Sequence, residues 1–193
     1  MIEQGALLWT PSPERVASSP MRKFMDWVET RRGLDFAGDY EKLRRWSVEQ
    51  LEQFWGDCWD YFAIASETPY DRVLSPDAVW FAGARVNFAE HLLRPGSPEE
   101  TALIHSAELR PVAELSRGEL RRQVRILATR LRELGIGPGD RVVSYMPNIA
   151  ETAIAFLATS AVGAVWSSAA PEFGVQTVLD RFGQIEPDRK SVV

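Results

Sequence analysis

The sequence predicts an α/β protein in which a helical amino-terminal extension leads into the first βαβα units of a parallel sheet. Three observations carry that reading. Apolar residues recur at helical spacing between cap signals before residue 65. The period shifts toward two at about residue 101, and two short apolar strands alternate with two helices from residue 141 onward.

Composition sets the outer limits. Of 193 residues, 45% are hydrophobic and 25% charged, with 13 Gly and 12 Pro, which excludes collagen-like, low-complexity and wholly disordered classes. Lys and Arg number 22 against 27 Asp and Glu, a formal charge of -5. Nothing in that balance draws the chain to a phosphate backbone or an anionic bilayer, so neither nucleic acid nor membrane is an expected partner. Cys58 is the single cysteine. An internal disulfide and multi-cysteine metal sites are excluded, and a reducing cytoplasmic setting is expected. No run of about 18 apolar residues is present, and Met1-Ile2-Glu3-Gln4 does not open a signal peptide.

Residues 1–19 read as irregular. Ser19 is the expected N-cap, with Pro20 at the first helical position, of a helix over 20–31 that buries Met21, Phe24, Met25 and Val28 and stops at Gly33. Ser47 and Gln50 have the spacing of a capping box, flanked by Trp46 and Leu51 as a staple, which predicts a helix over 48–62. Its Leu51, Phe54, Trp55, Cys58, Trp59 and Phe62 form an aromatic stripe, which packs within the protein or grips a partner. Cys58 lies on that stripe without a neighbouring cation in sequence, as an inert thiol would. The Pro- and Gly-rich stretch 65–97 reads as an ordered connector.

Thr101–His105 and Pro111–Leu115 read as a hairpin, and Ser116 with Glu119 as a capping box opening a helix that Gly135 ends. Its outer face carries Arg117, Arg121, Arg122, Arg125, Arg130 and Arg132 and reads as solvated. The glycines at 135, 137 and 139 follow a helix and precede a strand, the reverse of a dinucleotide fingerprint, so they predict a helix stop and a turn. Strand 141–145, a helix over 149–162 capped by Asn148 and Glu151, strand 164–168 and a helix over 175–182 complete the βαβα order. Parallel pairing follows.

Specific segments resemble a known family. These are Gly139-Asp-Arg-Val142, Met146-Pro-Asn148, Gly163-Ala-Val-Trp-Ser-Ser168, Pro171-Glu-Phe-Gly-Val-Gln176 and Leu179-Asp-Arg-Phe182, with Leu8-Trp-Thr-Pro-Ser12 and Trp80 to Glu90 upstream. Together they are similar to the opening of the adenylate-forming acyl-CoA synthetases, most closely the acetoacetate-activating branch, over residues 5–187. Ala82 and His91 depart from that pattern, which has Pro and Asn there. The resemblance implies an N-terminal helical extension over 1–97, of the type shared by acetyl- and acetoacetate-activating enzymes. Residues 98–187 would be the first, incomplete part of the large AMP-binding domain. It further implies a parent ligase that joins acetoacetate, or another short acyl acid, to coenzyme A through an acyl-adenylate, with ATP and Mg2+. No phosphate loop, metal-holding acid or catalytic residue is recognised in these 193 residues, so they are expected to be inactive and to bind none of these cofactors tightly.

The segment after the second parallel strand is the one cofactor-binding candidate. The resemblance places Ala170, Pro171 and Glu172 near the tunnel for the coenzyme A thiol, although the acetyl branch carries glycines there; strand carboxyl ends are also where open α/β sheets bind ligands. His91 and His105 are isolated in sequence and read as surface or hairpin residues. Asp188–Val193 does not continue as the aliphatic strand the family has; it matches a translated sequencing adapter and is expected to be a non-native tail. Poor independent stability is expected of the unpaired strand edges. The alternatives are an acetate- or propionate-activating enzyme, or a non-catalytic module that binds a partner through the aromatic face of 51–62.

Overall fold

The computed structural model describes residues 4–94 and 96–187, so the expected tail at 188–193 lies outside the described residues. The chain forms two compact units, one of residues up to Ile64 with Thr68–Ala84, the other of Ala65–Glu67 with Arg85 onward.

The first unit contains four helices and a hairpin. Helix α1 (Pro13–Ser18), in a stretch read as irregular, is a short helix capped by Ser12, whose Oγ accepts from the Arg15 N–H at 3.3 Å. Helix α2 (Pro20–Arg32) begins and ends where its caps predict: Ser19 Oγ accepts from the Arg22 N–H at 3.1 Å, and Gly33 takes the left-handed conformation at φ 66°. Phe24, Met25 and Val28 are buried, while Met21 stays exposed at the rim.

The next helical stretch corrects the sequence reading. Helix α3 (Tyr40–Glu49) starts at Asp39, whose carboxylate accepts from the Glu41 N–H at 2.8 Å. Ser47 therefore lies inside a helix, its hydroxyl donating back to the Arg44 carbonyl at 2.7 Å rather than capping. Helix α4 (Leu51–Tyr61) follows a break at Gln50, which makes no side-chain cap bond. The residue α4 buries fully is Asp57. Of the aromatic stripe, Phe54 meets the edges of Phe24 and Trp46 at 6.1 and 5.9 Å, and Trp59 stacks on Phe81 at 4.6 Å. Leu51, Trp55 and Phe62 remain exposed. Phe81 and Trp80 belong to an antiparallel hairpin of β1 (Arg72–Leu74) and β2 (Trp80–Ala82), inside the expected connector.

A buried ion pair ties α2 to α4. The Asp57 carboxylate has no exposed surface and receives Arg32 through both Nε and Nη2, the latter at 2.8 Å, with Arg31 Nε at 3.2 Å. A carboxylate without water requires such a partner, since its burial alone is strongly unfavourable.

In the second unit, helix α5 (Phe88–Leu92) precedes a hairpin of β3 (Thr101–Ala107) and β4 (Arg110–Ser116), longer than predicted by a few residues at the turn. Helix α6 (Arg117–Glu133) opens at Ser116, whose Oγ accepts from the Glu119 N–H at 3.3 Å. Glu119 itself turns outward to Arg122 and Gln123, and their hydrogen bonds pull its carboxyl down to about 2. Strand β5 (Arg141–Tyr145), helix α7 (Ala150–Ala161), strand β6 (Val165–Ala169) and helix α8 (Val175–Ile185) complete the predicted βαβα order. Strands β5 and β6 pair in parallel from Arg141 opposite Val165 to Tyr145 opposite Ala169. The N-cap of α7 is Ile149, without a side-chain bond, so the cap expected from Asn148 and Glu151 does not form. Glu151 instead pairs with Arg110 of the hairpin at 2.7 Å.

Leu120, Val124, Ala128 and Leu131 of α6 pack with Ile154, Leu157 and Ala158 of α7 and Val142 of β5 in one core. Small side chains on α7 let it approach closely. Gly163, at φ 80°, then turns the chain into β6 where a Cβ would stand 3.1 Å from Pro138 Cγ.

Replacing Asp57 with Ala is expected to destabilise the first unit by about 3 kcal/mol, the low end for breaking a buried pair because both arginines can reach water. Urea unfolding followed by tryptophan fluorescence measures this; a loss under about 1 kcal/mol would show that the pair is dispensable.

Candidate functional site

Parallel pairing brings the carboxyl ends of β5 and β6 side by side, and the two segments that leave them form the candidate site. Beyond β5 the chain runs through Met146-Pro147-Asn148, and the Met146 N–H donates to the Ala169 carbonyl at 3.2 Å. Beyond β6, Ala170, Pro171, Glu172 and Phe173 make a β-turn closed by the Phe173 N–H on the Ala170 carbonyl at 3.0 Å. Proline at the second position presets its φ for such a turn. Pro171 and Glu172 are exposed and Ala170 half-buried, so all three predicted residues lie on one accessible turn.

Two residues to which the sequence reading gave no role of their own hold that turn. The Tyr145 hydroxyl lies 2.7 Å from the Pro171 carbonyl and 3.1 Å from the Phe173 carbonyl. The Arg181 guanidinium sits 4.7 Å from the centre of the Phe173 ring, from the second turn of α8. The only sequence signal for Tyr145 was a long polar-tipped residue ending a buried strand.

Other candidate groups are absorbed by the fold. Among the described residues no group of three His, Cys, Asp or Glu side chains could hold a metal ion. His91 Nδ1 accepts from the Ala65 N–H at 3.3 Å, and His105 lies within the β3–β4 hairpin. On α6, Arg117 pairs with Glu100 and Arg130 with Glu133, while Arg121 donates to the carbonyls of Arg94 and Gly96 and Arg132 to that of Ala161. In the glycine run, the Gly137 N–H is taken by Asp140 at 2.8 Å, as suits a turn and not a phosphate cradle. No helix of the described residues is long and apolar enough to cross a membrane.

Comparison with known proteins identifies the scaffold. The family model described as AMP-binding enzyme matches residues 94–188, and that described as acetyl-coenzyme A synthetase N-terminus matches residues 40–92. The acetoacetyl-coenzyme A synthetase of Rhizobium meliloti (strain 1021) is 46% identical over 186 residues, 93% of this chain and 28% of its own length. The solved acetoacetyl-CoA synthetase from Streptomyces lividans superposes with a TM-score of 0.87 at 46% identity, over 93% of this chain and 29% of that one. The chain is similar over nearly its whole length to acetoacetyl-CoA synthetases. It spans about 28% of the length of these curated relatives and corresponds to the N-terminal part of the synthetase structure. A malonamoyl-CoA synthetase from Penicillium aethiopicum is 36% identical over 192 residues, 94% of this chain and 26% of its own, so likeness at this level spans named synthetases of different acids.

Cys58 is half-buried, and burial together with the Asp57 charge pushes its thiol up to about 11. A raised thiol pKa means the fold favours the protonated form, so the stabilisation is present below the unfolded value near 9 and is lost as pH rises toward 11. At pH 7.5 the thiolate fraction is expected to be about 100-fold below that of an unfolded chain. Iodoacetamide alkylation from pH 7 to 11 checks this, and an inflection at or below 9 in the native protein would refute the inert assignment.

Proposed function

We propose that these residues are the amino-terminal portion of an ATP-dependent acid–thiol ligase that converts acetoacetate and coenzyme A to acetoacetyl-CoA by way of an acyl-adenylate. The observation that carries this is the continuous match of 93% of the chain, in sequence and in fold, to acetoacetyl-CoA synthetases. A carboxylate is a poor electrophile; adenylation gives it a leaving group that a thiol displaces. The parent would use ATP, Mg2+ and coenzyme A, and would work in the cytoplasm, the setting the lone Cys58 suits.

Within that reading, residues 1–97 are the helical extension and 98–187 the opening of the AMP-binding domain. Ala170, Pro171 and Glu172 contribute to the approach of coenzyme A, supported by their place at the carboxyl edge of the parallel pair. The adenylating step is assigned to no residue of this chain, because no phosphate loop or catalytic motif is recognised in its sequence.

Expression of the complete reading frame that contains these residues tests the proposal. AMP release should depend on acetoacetate, ATP and coenzyme A together, with kcat/KM for acetoacetate exceeding those for acetate and propionate by about tenfold or more. Preference for acetate or propionate would move the enzyme to another branch, and no activation of any short acid would refute the ligase reading. The 193-residue chain alone is expected to release no AMP in the same assay.

A further inference from the structure

We propose that Tyr145 is a positioning residue for the thiol substrate, its hydroxyl holding the Ala170–Phe173 turn so that the turn's backbone meets a pantetheine-type chain. The proposal rests on the ligase reading above. Tyr145 ends β5 opposite Ala169, the last residue of β6, so its ring stands at the carboxyl edge beside the start of the turn. The strand's preceding residues, Val142, Val143 and Ser144, are buried; Tyr145 alone of the last four is exposed, at 47%. A side chain there could be any residue that tolerates water. Only one with the reach of tyrosine spans to carbonyls 26 and 28 positions later in the chain.

The hydroxyl has one proton and two carbonyls within reach, those of Pro171 at 2.7 Å and Phe173 at 3.1 Å. One proton cannot saturate both, and each carbonyl oxygen has two lone pairs, so acceptor capacity is left at an exposed edge. A chain bearing amide N–H groups, as pantetheine does, supplies the complementary donors. Arg181 braces the turn through the Phe173 ring, and the Ala170–Phe173 hydrogen bond closes the turn itself. The turn is thereby held before any ligand arrives, which spares the ordering cost that a loose loop would impose on binding.

Tyr145→Phe removes the hydroxyl and keeps the ring. In the ligase translated from the complete reading frame, KM for coenzyme A is expected to rise about 3- to 10-fold, the range of a single lost hydrogen bond. KM for ATP and for acetoacetate should stay within about twofold. In the same ligase, amide exchange at Glu172, Phe173 and Gly174 should accelerate about tenfold while Val142–Ser144 keep their protection. An unchanged KM for coenzyme A, or an equal rise for ATP, would overturn the proposal, the second by showing a general structural role. A wild-type ligase that activates no short acid overturns the parent reading instead, and the exchange measurement then still decides whether Tyr145 holds the turn.

Discussion

Two strands that run the same way cannot be joined by a tight turn, and that constraint organises the second unit. The chain leaving β5 must travel back along the sheet before β6 can begin, and α7 makes the return. The return is possible because α7 presents Ala158 with Ile154 and Leu157 to a core it shares with α6 and Val142. Once the crossover is in place, both strands end on the same side. The Met146 segment and the Ala170–Phe173 turn are then neighbours by geometry, although more than twenty residues separate them in sequence.

The first unit is held together differently. Its aromatic residues meet mostly edge to face, an arrangement that gives area without a single interlocking register. Asp57 supplies directionality. Its carboxylate takes Nε and Nη2 of Arg32 and Nε of Arg31, so α2 and α4 are aligned by a fork that fits in one way. The same charge, lying beside Cys58, helps keep that thiol protonated, which joins the packing of the unit to the quiescence of its one sulfur nucleophile.

Elements marked by local chemistry were legible. Ser19 with Pro20, Gly33 and Ser116 all act at the boundaries where their own side chains or φ angles place them, because capping is settled within four residues. Ser47 misled for the complementary reason: the same hydroxyl that caps a helix also bonds backward inside one, and the true cap is Asp39, eight residues upstream. The three-residue strands β1 and β2 are too short to show alternation. At the candidate site, the position of Ala170, Pro171 and Glu172 beyond a parallel strand could be read from the βαβα order. The part played by Tyr145 and Arg181 could not, since it depends on where distant segments come to lie.

The first unit is built from residues no later than Ala84, almost all of which precede the second in the chain. During synthesis its aromatic cluster and the Asp57 fork can therefore close while β5 and β6 are still untranslated. The ribosome thus releases the chain in an order that shelters its most aromatic stretch first, before the slower, long-range pairing of the parallel strands begins.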